Sequence, residues 1–348
     1  DTWGVDFALL DKNDTLLDNP RNYRDDRTNG FPQQAFKEVS KKDIFAQTGT
    51  QFLKINTLYQ LLSMRNTTSL DVATTLLMMA DLFNFFFTGS KTTEFSNATT
   101  TQMYNPNTGT WAYDLLNRFQ LPTNFLPNIV EPGTIIGSLR GSIQKELNLP
   151  NIPFIAPATH DTGSAVAAIP IKKGQGDFIY ISSGTWSLMG IQTDKPILSR
   201  QALENNFTNE GGFGHTFRFL KNIMGLWIIQ ECRRDWHKTG MQLDYERLID
   251  LANKATPFAA LFDPDDERFL APGDMPKRLK EYWIESEQEF VDSPGSLVRS
   301  TLESLSLKYR YTCELIESIL QRDFDVIHMV GGGVQNKLLC QFTANATK

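Results

Sequence analysis

The chain has 348 residues, of which 41% are hydrophobic, and a mean hydropathy of −0.31, values typical of a globular protein with one large or two ordinary domains. Its net charge of −6, without a basic stripe among aromatic residues, argues against nucleic acid as a partner. The longest apolar run, 76–87, is interrupted by Asp81 and Asn84 and is too short to span a bilayer, so we expect no membrane association.

Alternating apolar residues from Val5 to Leu9 predict a strand, and the polar stretch 11–14 predicts a turn into a second strand that starts at Leu16. The dense polar cluster at 24–28 is typical of a solvated loop.

Residues 31–150 are predicted to be mainly helical and to serve as scaffold. An apolar stripe at 55–62 indicates one amphipathic helix, and the run 76–87 predicts a core helix whose aromatic end, 83–87, packs in the interior. A loop rich in proline then precedes a short helix at 142–149.

The stretch 152–158 predicts a buried strand that leads into a helix at 162–169, which Pro170 ends. Asp161, at this junction, has two compatible interpretations. It caps the helix, or it is a fixed carboxylate that can accept a proton. His160 is expected to pack or to form hydrogen bonds rather than to bind a metal, because no second His or Cys lies at ligand spacing.

A second polar junction follows a strand at 178–182, where Ser183, Gly184 and Thr185 interrupt the apolar pattern. An ordinary hairpin turn explains these residues, because glycine allows positive φ and hydroxyls bond to nearby backbone. Turn N–H groups and hydroxyls can also bind a phosphate, and the local sequence leaves both interpretations open.

Residues 219–237 show apolar residues at helical spacing, beside which Asn222, Leu226 and Gln230 follow at i, i+4 and i+8 as half-exposed spacers. Acidic and proline-rich residues at 263–294 predict a surface excursion.

A long helix with one apolar face is predicted at 298–320, followed by a strand at 325–330 and a helix from about Gln335. Between them, the glycines 331–333 form either a tight turn or a helix start that places free N–H groups against a nucleotide. They do not match the GxGxxG pattern of dinucleotide-binding proteins.

The cysteines Cys232, Cys313 and Cys340 are odd in number and match no metal-binding spacing, which favours a reducing, cytoplasmic environment. No secretory signal is recognisable.

Five motifs together give this chain its resemblance to a known family. In chain order they read HDTGSAV, YISSGTWSLMG, NFTNEGG, FLKNIMGLWIIQE and MVGGGVQNKLLCQ. In order and approximate spacing they resemble those of the FGGY carbohydrate kinases, and the resemblance covers essentially the whole chain. It implies an α/β, two-lobed fold of the actin-like ATPase (ribonuclease H-like) type. Because the chain opens without Met in a strand pattern at 5–10 and stops at Lys348 just after a helix, we expect a chain truncated at both ends, without the first phosphate hairpin and poorly active on its own.

The resemblance also implies a sugar-binding lobe at 1–170 and a nucleotide-binding lobe at 171–348, with a hinge in the Lys/Gly stretch after Pro170. Asp161 would lie at the edge of the first lobe and face the Thr185 turn of the second, and closure of the lobes would exclude water.

The implied reaction is phosphorylation of a ketose hydroxyl by ATP with Mg²⁺, most closely that of C1 of L-rhamnulose. A kinase of L-fuculose or L-xylulose and a catalytically silent sugar-binding relative remain alternatives, and the protein is expected as a monomer or homodimer. Asp161 would accept the hydroxyl proton. The implied sugar contacts are Trp3, Gly4, His160, Asp161, Thr162 and Asn222, and the implied nucleotide contacts are Thr185, Gln230 and Gly332.

Overall fold

The computed structural model describes residues 1–171 and 177–348, which form two compact units. The first unit comprises Asp1–Ala168 and Gln192–Leu220, and the second comprises Ile169–Ile191 and Lys221–Lys348. The chain first changes unit within two residues of the predicted boundary at 170. Residues 192–220, predicted in the second lobe, pack in the first unit, where Gly211 N–H donates to Thr99 Oγ1 at 2.7 Å. The predicted Lys/Gly hinge falls on 172–176, outside the described residues.

Strands and helices are numbered in chain order. The strands are β1 Phe7–Leu10, β2 Thr75–Met78, β3 Thr92–Glu94, β4 Tyr104–Asn105, β5 Thr110–Trp111, β6 Asn128–Val130, β7 Ile135–Ser138, β8 Pro153–Ile155, β9 Ile179–Ser183, β10 Trp186–Thr193, β11 Thr208–Gly211, β12 Phe217–Met224 and β13 Ile327–Val330. The helices are α1 Phe31–Glu38, α2 Lys41–Thr48, α3 Thr57–Leu62, α4 Thr68–Val72, α5 Met79–Thr88, α6 Phe95–Ala98, α7 Tyr113–Arg118, α8 Gly141–Leu147, α9 Asp161–Ala167, α10 Arg200–Glu204, α11 Trp227–Lys238, α12 Tyr245–Lys254, α13 Met275–Glu285, α14 Pro294–Leu320 and α15 Lys337–Thr347.

The core of the first unit is organised around β1 and β2, which pair antiparallel from Phe7 opposite Met78 to Leu10 opposite Thr75. The predicted return after β1 is confirmed by a bridge between Leu10 and Leu16, and the predicted helix 55–62 by α3. The prediction of one helix over 76–87 is wrong, because its first residues form β2. Both strands are buried on both faces, and a short apolar run of this kind does not distinguish a strand from a buried helix.

The aromatic end of α5 also differs from the prediction of core packing. Phe85 is buried, whereas Phe83, Phe86 and Phe87 are between 43% and 49% exposed. A helix that packs along one face covers only the residues of that face, and Leu82 and Phe85 occupy it here.

The region before Asp161 is less regular than predicted. The buried strand at 152–158 is reduced to β8, which pairs with β7 and leaves Ile155 58% exposed. The helices on either side are confirmed as α8 and α9, within two residues of their predicted ends.

In the second unit, β9 pairs antiparallel with β10 and parallel with β13, so that β9 lies between them. The predicted long helix is confirmed as α14, which has 27 residues and packs against α12 and α15. Of the helices that the structure describes, none combines the length and apolar character needed to cross a bilayer.

The predicted helix at 219–237 begins too early. Residues up to Met224 form β12, and α11 starts at Trp227. β12 is buried on both faces, so it lacks the alternation of apolar and polar residues that identifies a strand. Its apolar residues and those of α11 together therefore resemble the apolar face of a single helix. Asn222 and Gln230 therefore lie on different elements, not on one helix face.

The predicted surface excursion at 263–294 is instead a packed substructure. It contains α13, and Phe269, Met275 and Trp283 are almost fully buried. The ammonium group of Lys308 in α14 pairs with Asp263 at 2.8 Å and with Asp265 at 2.9 Å, which anchors the start of this segment.

Candidate functional site

The corner 159–161 lies beside the first residues of the chain in the first unit. Thr2 N–H donates to Thr159 O at 2.9 Å, and Asp161 N–H donates to Thr2 O at 2.8 Å. These two bonds bring Trp3 and Gly4, both predicted to contact sugar, next to His160 and Asp161.

A fully buried carboxylate, that of Glu94, holds this corner. Its Oε2 accepts the Thr159 N–H at 2.8 Å and the Thr159 hydroxyl at 2.7 Å. The same group accepts the Ser96 N–H at 2.8 Å and the Ser96 hydroxyl at 2.5 Å, and Ser96 Oγ in turn accepts the His160 N–H at 3.0 Å. Glu94 was not among the residues predicted from the sequence, because Thr159, the part of the corner that it holds, is 65 residues away.

Asp161 presents its carboxylate to solvent, with 59% of the side chain exposed. The residue is the first of α9 and not its N-cap, so the capping interpretation is wrong in position. Its Oδ1 accepts the N–H of the buried Thr162 at 2.6 Å and lies 3.6 Å from His160 Nε2. The carboxylate is thus fixed at the helix start and reachable by a ligand.

Behind Asp161, His160 forms a buried network with Glu210 and Arg218. His160 Nδ1 lies 3.1 Å from Glu210 Oε2, to which Arg218 Nη2 also donates at 3.1 Å. The Arg218 and Glu210 side chains are 1% and 5% exposed. His160 is therefore a packed, hydrogen-bonding residue, as predicted. Glu210 belongs to the motif NFTNEGG, but its role was not predicted from the sequence.

Trp3 and Gly4 lead into a strained turn. Val5 has φ of +66°, and the Asp6 N–H donates to Gly4 O at 2.9 Å, the pattern of a γ-turn with positive φ. A β-branched residue in this region is an outlier that costs about 1–3 kcal/mol. Thr100 Oγ1 accepts the Val5 N–H at 3.1 Å, and a Cβ on Gly4 would lie 2.8 Å from the same oxygen.

Asp6 links this turn to the unit's interior. Its carboxylate accepts the indole N–H of Trp3 at 2.8 Å and the Gln60 amide at 3.3 Å. Burial raises the pKa of Asp6 to about 6, although these bonds and the nearby Arg27 charge act in the opposite direction. Arg27, in the cluster predicted as a solvated loop, is half-buried and donates to Gln60.

In the second unit, the predicted turn between β9 and β10 is confirmed. Gly184 N–H donates to Trp186 O at 2.8 Å, and Leu226 N–H donates to Gly184 O at 2.9 Å. The start of α11 is thereby held against the turn. As a result, the Thr185 hydroxyl donates to the side-chain oxygen of Gln230 at 3.4 Å, so the structure brings together two of the predicted nucleotide contacts.

The three glycines 331–333 join β13 to α15 through a 3-10 turn, Gly332–Gln335. Gly331 has φ of +87°, and a Cβ there would lie 2.6 Å from Ser183 O. A Cβ on Gly333 would overlap Ser183 Oγ. Apart from Gly332 and the backbone next to it in the chain, no described atom lies within 4 Å of where a Cβ on Gly332 would stand, so protein packing does not require glycine there.

Asn222, predicted to contact sugar, lies half-buried in the part of β12 that belongs to the second unit. Across residues 1–171 and 177–348, no group of three or more His, Cys, Asp or Glu could hold a metal ion.

Two family models match this chain. The N-terminal domain of the FGGY family of carbohydrate kinases matches residues 2–168, and the C-terminal domain of that family matches residues 179–348. The chain is 42% identical over 349 residues to a rhamnulokinase of Oceanobacillus iheyensis, covering 100% of this chain and 73% of that protein. It is 41% identical to a rhamnulokinase of Bacteroides thetaiotaomicron, covering 99% and 70% respectively.

Solved structures of similar fold include a gluconate kinase from Lactobacillus acidophilus, with a TM-score of 0.76 and 19% identity over 99% of this chain and 69% of that one. A xylulose kinase from the same organism gives a TM-score of 0.75 at 18% identity, with the same coverage. Plasmodium falciparum glycerol kinase with ADP gives 0.70 at 18% identity, over 98% of this chain and 68% of that one. At these identities the likeness establishes the two-domain, actin-like fold alone.

The Asp6→Asn variant should depend less on pH for its stability. Because the folded pKa of Asp6 is raised, its contribution to stability is complete below pH about 4 and is lost as pH rises through about 6. The loss is about 3 kcal/mol at most, from the 1.36 kcal/mol that each pKa unit represents. Urea unfolding from pH 4 to 7 should show the variant gaining stability relative to the parent as pH rises, with the gain levelling off above pH about 6. Asp71→Asn, at an exposed position of α4, is the control. Parallel curves for Asp6→Asn and the parent would contradict the assignment.

Proposed function

The chain belongs to the FGGY family of carbohydrate kinases, and we propose that it transfers the γ-phosphoryl group of ATP to the C1 hydroxyl of L-rhamnulose. The main observation in support of this proposal is the exposed carboxylate of Asp161. It is fixed at a rigid corner among residues suited to binding a polyol. Rhamnulokinases about 40% identical over almost the whole chain support the choice of sugar.

Asp161 acts as the proton acceptor. As the hydroxyl oxygen forms its bond to the γ-phosphorus, its proton passes to the Asp161 carboxylate, the bond from phosphorus to the β–γ bridging oxygen breaks, and ADP leaves. Phosphoryl transfer depends mainly on positioning and charge stabilisation, so a base of this kind contributes about 10²- to 10⁴-fold.

The proposed sugar contacts in the first unit are Trp3, Gly4, His160 and Thr162, and the contact at Asn222 stays a prediction. The indole of Trp3 is 43% exposed while its N–H is held by Asp6, which supports a role in covering the C–H face of a sugar.

The nucleotide contacts are Thr185, Gln230 and Gly332 in the second unit. Gly332 lets the backbone approach the nucleotide, because the position has no side chain and nothing of the protein fills the space. We propose that Mg²⁺ arrives as the Mg·ATP complex. In kinases this ion is bound largely by phosphate oxygens and water, so the protein need not supply a cluster of carboxylates. The described residues contain no such cluster.

The three cysteines form no disulfide with one another, two of them are buried, and we propose a cytoplasmic location, where thiols remain reduced.

A sugar panel tests the reaction. ATP consumption is measured by a coupled ADP assay. We expect kcat/KM with L-rhamnulose to exceed that with L-fuculose or L-xylulose by at least about 10-fold, because the hydroxyl groups of the ketose bind to polar side chains in fixed positions. Greater turnover of another ketose would contradict the substrate. Sugar binding without any ATP consumption would contradict the kinase assignment.

The Asp161→Asn variant should bind L-rhamnulose within about 3-fold of the parent while kcat falls about 10²- to 10⁴-fold, because the amide cannot accept the proton. Asp43→Asn is the matched control, since Asp43 also lies in the first turn of a helix of the same unit and is exposed. Unchanged kcat in Asp161→Asn would remove this residue from the role.

Gly332→Ala separates nucleotide binding from folding. We expect the melting temperature to stay within about 2 °C of the parent, because the new methyl meets no protein atom, while KM for ATP rises about 10-fold or more. Gly331→Ala provides the contrast, because there the methyl meets Ser183 O and positive φ adds strain, so stability falls. An unchanged KM for ATP in a stable Gly332→Ala protein would contradict the assignment of Gly332.

A further inference from the structure

The buried network behind Asp161 offers His160 two neighbours on the same side of its ring. Nδ1 lies 3.1 Å from Glu210 Oε2 and 3.2 Å from Arg218 Nη2. Arg218 is only a donor and an ionised Glu210 is only an acceptor, so these neighbours favour opposite tautomers of the ring.

The geometry favours a proton on Nδ1. Arg218 Nη2 already donates to Glu210 Oε2 at 3.1 Å, and its Nε donates to Gly211 O at 3.0 Å. A lone pair on Nδ1 would face the Glu210 carboxylate at hydrogen-bond distance, which is repulsive. In the neutral ring, Nδ1–H therefore donates to Glu210, and Nε2 carries the lone pair.

Nε2 is the ring atom that faces Asp161, at 3.6 Å from Oδ1. In this tautomer the Nε2 lone pair faces Asp161 from 3.6 Å, farther than the 3.1 Å between Nδ1 and Glu210, and Nε2 can only accept a hydrogen bond. The group that meets it must be a donor, and a ketose offers hydroxyls for this role but not its carbonyl.

Stability alone is a weak reason for such a network. Burying an ion pair costs desolvation energy that its attraction often fails to recover. Arg218 Nη1 is also buried without a hydrogen-bond partner among the described residues, a further cost. A positioning role gives these buried charges a function that stability does not supply.

We propose that Glu210 and Arg218 are positioning residues that hold His160 with its proton on Nδ1, so that Nε2 accepts a hydrogen bond from a second hydroxyl of the sugar. This inference rests on the proposed ketose kinase function, whose phosphorylated hydroxyl is already assigned to Asp161. It makes the site selective for a ketose with a free hydroxyl at C3 or C4.

The test compares L-rhamnulose with its 3-deoxy and 4-deoxy analogues. In the parent protein, we expect one analogue to lose about 10-fold or more in kcat/KM and in affinity measured by calorimetry, because Nε2 is left without its donor. The double variant Glu210→Met/Arg218→Met removes both buried charges together, which avoids an unpaired charge and favours folding. In this double variant we expect the His160 imidazole to be no longer held in one tautomer. Its preference for L-rhamnulose over that analogue should then fall below about 3-fold.

Two further variants make the result specific. Glu210→Gln keeps an oxygen that can accept Nδ1–H and should retain most of the discrimination. Arg299→Met/Glu303→Met removes a matched pair of the second unit, 2.7 Å apart with side chains 12% and 2% exposed, and should leave the discrimination unchanged. A purely structural role would lower activity with all three sugars alike and leave their ratio constant.

The possible outcomes distinguish the role of Glu210 and Arg218 from the proposed kinase function. Should the parent neither bind nor phosphorylate any ketose of the earlier panel, the kinase function fails and this inference with it. Should the parent phosphorylate L-rhamnulose but tolerate both deoxy analogues, or should the folded double variant discriminate as the parent does, only the role of Glu210 and Arg218 is overturned.

Discussion

The first unit depends on one buried charge, the carboxylate of Glu94. Four donors from Thr159 and Ser96 converge on it, and an unmet buried donor costs about 1–3 kcal/mol, so the backbone there has little freedom. Asp81 lies next to Glu94. Burial, and after it the charge of Glu94, raise the pKa of Asp81 well above its usual range, so Asp81 adds no second negative charge there. The proposed base, Asp161, is therefore exposed on a support that is itself rigid, as proton transfer to a positioned group requires.

In the second unit, the loops at the candidate site pack closely because glycines there have no side chain, and not because of a buried charge. Its glycines are not equivalent, because Gly331 and Gly333 are required by contact with Ser183, whereas Gly332 has no such constraint. Gly225 belongs to the first kind, since a Cβ there would lie 2.6 Å from the backbone of Trp186. Close backbone packing brings three loops together at the ends of β9, β12 and β13, a position where α/β sheets commonly bind ligands.

The features predicted correctly from the sequence are local ones. The Asp161 junction, the turn at 183–185 and the glycine joint after β13 each follow from a few adjacent residues. The residues that support them could not be found in this way. Glu94 is 65 positions from Thr159 and Arg218 is 58 from His160, so spacing carries no information about these pairs. The errors at β2 and β12 share a physical cause, because strands buried on both faces lose the alternation that identifies them.

The strained turn at Val5 has a consequence for how this protein can change. Its distortion is maintained by the rest of the fold at all times, so the entropy of ordering the loop is lost during folding and not when a ligand arrives. Glycine, which is better suited to that φ, would relieve the strain but widen the conformational freedom of the chain next to Trp3. Under the proposed role of Trp3 in sugar binding, thermal stability and sugar affinity therefore make opposing demands on this position.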